Sequence, residues 1–328
     1  MKHFYAYLFL IVLSAGAATT AVANPQLAYI PNARANMELL ETRLHQSSQF
    51  DYKHAVTIAL PASYQQQPDK SYPVLWVLDD PLVTRTAIAT VDLLVAGNFI
   101  PEIIIIGVGS PPEEGMAGVG RRIVEFSPPG NGFSAPGLNA QVFNEAIPFP
   151  EYPHKAPDFL AFLVDELRPK LSQEFRFKDD HILHGHSLGG LFAGFTLFSR
   201  PDAFNRMIIG SPAMANVDDA VFKLEERFSK ENDALPVQLF VGAGGAEGNE
   251  WFLNVGGILS GTARFIERMS LRNYHGLALK SKIYSDENHY TTVPRIISDG
   301  LRHFYREEAV KLGSSWPQQP KRDEGGAQ

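Results

Sequence analysis

Two short runs constrain the fold of this chain most, Tyr72-Pro73-Val74-Leu75-Trp76-Val77-Leu78 and Ile103-Ile104-Ile105-Ile106-Gly107-Val108, because both are apolar at nearly every position. A strand without polar alternation must be covered on both faces, which is the condition of a parallel sheet layered between helices. Candidate strands at 54–60, 72–79, 103–108, 181–184, 206–210, 237–242 and 277–285 alternate with segments of helical period. Residues 155–174 place Phe159, Phe162, Leu163 and Leu167 on one helical face, and 251–272 does the same with Phe252, Val255, Leu259 and Met269. A last helix over 292–311, opened by Pro294, carries Ile297, Leu301, Phe304 and Tyr305. The alternation predicts a doubly wound, mostly parallel α/β sheet with helices on both faces, whose sites lie at the carboxyl ends of the strands. At 328 residues the chain can bury one large core, so a single domain over 24–312 is expected, with a polar, disordered tail over 313–328.

At the end of the fourth strand stand Gly185-His186-Ser187-Leu188-Gly189. Upstream, His181-Ile182-Leu183-His184 is strand-like; downstream, Gly189, Gly190, Ala193 and Gly194 put small residues on the faces of a helix that would lie against a sheet, up to Arg200-Pro201. A strand, a tight turn and a small-residue helix are what a nucleophile elbow of the type G-x-S-x-G requires. The alternative is a Gly-rich turn with a bystander serine. Ser110 to Pro157 breaks the rhythm, being rich in Pro and Gly and without a sustained period; it is expected to be a long loop, either shaping the site or running over the surface.

Composition removes other classes. The net charge is -7 and no Lys/Arg block occurs, which argues against nucleic-acid binding through phosphates and leaves a small molecule as the expected partner. There is no cysteine, hence no disulfide and no thiolate metal site. No His-x-x-x-His pair or carboxylate cluster has metal-ligand spacing, so neither a metal nor another cofactor is expected. Residues 1–23 combine Lys2, an apolar run from Phe4 to Ala18 and Ala21-Val22-Ala23, the pattern of a cleaved export signal. The run is short for a membrane span, so a periplasmic or secreted protein without stable membrane insertion is expected.

A serine at such a turn needs a base. Of ten histidines, His289 lies in Ser285-Asp286-Glu287-Asn288-His289, after the last candidate strand and before the final helix, where a side chain can reach back over the sheet edge. His184 within the strand and His186 as the variable elbow residue are packing or pocket residues, His186 being a candidate to touch substrate; His154, His275 and His303 are read as structural. The acid that orients the base should come from a loop between the two. Glu247, after strand 237–242, is the first choice; Glu250, which could instead open the next helix, is the alternative, and a serine-histidine pair without a firm acid stays open. Leu188 N–H is the first expected oxyanion donor, and since Pro81 has no N–H, Asp80 N–H is the expected second.

Together these pieces resemble the putative-esterase branch of the α/β-hydrolases, which includes ferric-siderophore esterases and is similar in fold to esterase D and the mycolyltransferases. The resemblance rests on the strand 72–79, on Arg121-Arg122 through Phe126-Ser127-Pro128, on the elbow, on Gly210-Ser211-Pro212, on Val241-Gly242 with its following glutamate, and on Glu287-Asn288-His289. It implies Ser187 as nucleophile, His289 as general base and Glu247 as acid in a serine esterase that needs no cofactor. The family's Asp-Gly becomes Asp79-Asp80 here, which bears on the second oxyanion donor. Arg121 or Arg122 could receive an anionic part of the substrate or form an ion pair that pins the long loop. Acyl transfer to an alcohol, and a binding protein on the same scaffold, are the competing functions.

Overall fold

The computed structural model describes residues 38–130, 154–214 and 216–314. All of them fall within one compact unit, Pro31–Ser315. The strands are β1 (Glu38–Gln46), β2 (Lys53–Leu60), β3 (Tyr72–Leu78), β4 (Ile104–Gly109), β5 (Phe177–His186), β6 (Arg206–Gly210), β7 (Gln238–Gly244) and β8 (Ala278–Tyr284). They form a single sheet in the order β1-β2-β4-β3-β5-β6-β7-β8. β2 runs antiparallel to β1 and β4, and every other pairing is parallel.

The wholly apolar runs are explained by the two layers they separate. On one face α1 (Leu82–Ala96) and α8 (Thr292–Phe304) bury Ala87, Val91, Ile296 and Leu301 over Leu75, Val77 and Ile105. On the other face Val74, Trp76 and Ile106 meet side chains of α2 (Met116–Phe126), α3 (residues 156–174) and α4 (Leu188–Ser199), among them Phe126, Phe159 and Phe192. α5 (Asn216–Glu231), α6 (Trp251–Val255) and α7 (Ile258–Arg272) follow along the chain, and α9 (Arg306–Leu312) closes it. α3 begins as Ala156–Ala161, widens to a π turn at Phe162–Leu167 and resumes as Arg168–Glu174. Pro169 accounts for the widening, because it lacks an N–H and its ring would crowd the carbonyl four residues back.

Several elements differ from the sequence-based expectation. β1 lies ahead of the first candidate strand; it is an edge strand with one neighbour, and its Thr42 hydroxyl meets that of Thr57 at 2.8 Å. α2 occupies a stretch expected to be loop, since three glycines mask a helix whose Ile123 and Phe126 are buried. Residues 131–153, about half of the expected loop, lie outside the described residues, as do the expected signal at 1–23 and the tail from 315. The helix expected over 251–272 is cut at Gly256-Gly257, where Gly257 has φ 66°; Phe252 is consequently exposed whereas Met269 is buried. The last helix is likewise divided at Tyr305, whose buried hydroxyl donates to Asp180 Oδ2 at 3.1 Å.

Candidate active site

The carboxyl ends of β3, β4 and β5 and the loop after β8 converge on one cavity of about 590 Å³ that Ser187, His186, His289, Asp79, Asp80 and Arg122 help to line. Ser187 sits between β5 and α4 with φ 60° and ψ -118°, a backbone conformation that L residues seldom adopt. The turn is held from both sides: Ser187 N–H donates to Gly210 O at 2.9 Å, and its carbonyl accepts from Leu191 and Ala213 N–H at 3.0 and 3.1 Å. A Cβ on Gly185 would lie 2.1 Å from Gly189 O, so only glycine fits there. Leu188 N–H belongs to the first turn of α4, where amides have no partner within the helix.

His289 comes from the loop between β8 and α8. Its Nδ1 donates to Glu247 Oε1 at 2.7 Å. Glu247 is fully buried, and its second oxygen accepts Gly244 N–H at 3.0 Å. A carboxylate only accepts, so this bond places the imidazole proton on Nδ1 and leaves the Nε2 lone pair free. Glu250, the alternative acid, is exposed at the start of α6. The loop has a support that spacing did not single out: Asn288 Oδ1 accepts the N–H groups of Tyr290 and Thr291, each at 3.0 Å, and so ties the backbone just after His289 to the residue before it. The signal available was an asparagine just ahead of a helix.

The adjacent arginines face different ways. Arg122 lines the cavity and forks Asp79, with Nη2 3.1 Å from Oδ2, and it also donates to His186 O at 3.3 Å. It thus ties the end of β3 to the elbow. Arg121 turns away to Glu114 at 2.5 Å, to Lys53 O at 2.7 Å and onto the Tyr52 ring, so it is not among the residues that line the cavity. Asp80 N–H donates to Val108 O at 3.3 Å and is directed into the sheet, contrary to its expected place as an oxyanion donor. The Asp80 carboxyl is buried, which pushes its pKa up against the opposing hydrogen bonds from Thr57 and Thr84. His186 packs its ring against that of His289 with centroids 4.5 Å apart; burial above all, then the neighbouring His289, His184 and Arg122, hold its pKa well below the usual histidine range.

A strained serine elbow and a carboxylate-anchored imidazole over the carboxyl edge of a parallel sheet define a serine hydrolase of the α/β-hydrolase fold. The sequence profile described as Putative esterase matches residues 47–276, and the chain belongs to that family. It is similar to the ferri-bacillibactin esterase BesA of Bacillus subtilis, with 25% identity over 272 residues that cover 80% of this chain and 88% of that protein. Among solved structures, an IroE-like serine hydrolase from Shewanella oneidensis has a TM-score of 0.68 at 22% identity, covering 81% of this chain and 80% of that one. The siderophore hydrolase EstA from Aspergillus nidulans has a TM-score of 0.69 at 18% identity, covering 89% of this chain and 99% of that one. At these identities the two structures establish the shared fold.

Proposed function

We propose that the protein hydrolyses a carboxylic ester through an acyl-enzyme on Ser187. The observation that carries the assignment is the Glu247–His289 bond of 2.7 Å beside the strained Ser187 turn, with His289 and Ser187 lining one cavity. Ser187 Oγ attacks the ester carbonyl while His289 Nε2 takes its proton, and Leu188 N–H faces the oxygen that becomes negative. Collapse breaks the ester C–O bond, and the imidazolium returns the proton to the departing alcohol. Water then attacks the acyl carbon with His289 again as base, which regenerates Ser187 and releases the acid. Glu247 keeps the ring in the working tautomer and stabilises it while charged.

The siderophore names of BesA and EstA, with a cavity of a size that holds a drug-sized ligand, support a siderophore-type ester as substrate. Among the described residues no helix is long and apolar enough to cross a membrane. The pattern over residues 1–23 supports export to the periplasm or medium. Hydrolysis of short nitrophenyl esters, linear siderophores and cyclic siderophores, with Ser187→Ala as control, tests the reading. Ser187-dependent hydrolysis, faster on siderophores, is the expected result. Acyl transfer to an added alcohol in place of hydrolysis would assign a transferase, and inactivity on every ester would leave a binding scaffold.

A further inference from the structure

Glu247 and His289 serve the reaction, but His186 is left without a task in it, and its surroundings are unusual. Its side chain is 7% exposed, and no side-chain partner bonds either ring nitrogen; the one polar group against the ring is the His289 backbone. Buried polar groups are nearly always paired, so an imidazole with two ring nitrogens and a single backbone contact has capacity left for a partner. His186 and His289 help to line the same cavity. One ring nitrogen from each histidine and one Glu247 oxygen all lie within 4.8 Å of one another. Local spacing gave no hint of this group, because its members come from the elbow, the turn after β7 and the loop after β8.

We propose that His186, His289 and Glu247 form an inhibitory site for a divalent transition-metal ion of the Zn²⁺ class. Two imidazoles and a carboxylate are a donor set that such ions accept, with a fourth position left for water, whereas Mg²⁺ and Ca²⁺ prefer oxygen alone. The nearby cation, Arg122, is paired with Asp79 and does not stand as an unbalanced charge against the ion. Small shifts of the two rings draw the donors to coordination distance, and the cavity supplies the entry path. Coordination either occupies the Nε2 lone pair of His289 or, at Nδ1, releases that proton to solvent and breaks the bond to Glu247. Both outcomes leave Ser187 without a base. The inhibitory consequence rests on the esterase reading; the binding itself does not.

The test has two arms with zinc chloride as the probe. Equilibrium dialysis on Ser187→Ala protein should find one tightly held Zn²⁺ per chain, and adding His186→Gln or Glu247→Gln should weaken it at least about tenfold. In the rate assay, Zn²⁺ should inhibit ester hydrolysis reversibly by chelator, and His186→Gln should raise the half-inhibiting concentration by a similar factor relative to its own uninhibited rate. Absence of Zn²⁺ binding, or binding that both substitutions leave unchanged, would overturn the proposal. Should His186→Gln lose its folded circular-dichroism spectrum, Glu247→Gln decides the dialysis arm. If no ester is hydrolysed, dialysis still decides the site; if Zn²⁺ does not bind, the hydrolysis assay still decides the esterase.

Discussion

At the residue scale, the charge of Glu247 matters less than the fact that it can only accept. Glutamine there can turn its N–H toward His289 Nδ1, which moves the imidazole proton to Nε2 and removes the base. Glu247→Gln should therefore lower kcat by roughly 10³–10⁴-fold with KM little changed, while exposed Glu250→Gln stays near the parent rate. Steady-state kinetics on one nitrophenyl ester checks both. Two neighbouring arginines provide a second contrast. Arg122→Ala removes a cavity side chain that ties Asp79 to the elbow and should lower kcat/KM; Arg121→Ala removes contacts to Glu114 and the Tyr52 ring and should lower the melting temperature with kcat/KM within about twofold of the parent. Sequence could nominate both arginines, but not tell them apart, because adjacent helix positions point about 100° away from each other and only packing decides which faces the cavity.

At the scale of elements, the elbow was legible because its determinants are local: strand, glycine, serine and small-residue helix occupy consecutive positions. Its tolerance is correspondingly small. Gly185→Ala puts a methyl group 2.1 Å from Gly189 O, where only backbone can give way, and should abolish soluble folded protein or cost more than about 4 kcal/mol in denaturant unfolding. The His289 loop was legible in chain order but not in its support. Asn288→Ala deletes two hydrogen bonds to the amides at 290 and 291; a loss of about 1 kcal/mol in stability and a fall in kcat larger than that loss explains are expected. β1 escaped notice because an edge strand has one neighbour and needs little apolar alternation, and α2 because Gly115, Gly118 and Gly120 weaken the helical signal. The amide of Asp80 escaped for a further reason: its partner, Val108 O, is contributed by the neighbouring strand β4, which no local reading reveals.

At the scale of the whole molecule, the sheet stacks three buried histidines beneath and beside the site. Burial, the largest cause, lowers His181 and His184 to about 4, and holds His186 well below its usual value. The unfolded chain binds these protons near pH 6.5, before the folded protein does, so the sign is fixed. Stability carries no such cost above pH 6.5 and should fall as the pH drops toward about 4, by at most about 1.4 kcal/mol per unit for each histidine. Urea unfolding between pH 7 and 4.5 measures the slope, and His184→Gln, which removes one of the groups, should flatten it. The proposed reaction turns on one strained serine becoming an acyl acceptor, and mass spectrometry of the protein after a fluorophosphonate or a slow ester measures that most directly. One adduct is expected, on Ser187, formed by the native protein, lost on unfolding and strongly slowed in His289→Ala. Unmodified Ser187 in folded protein, or an adduct on another residue, would contradict it.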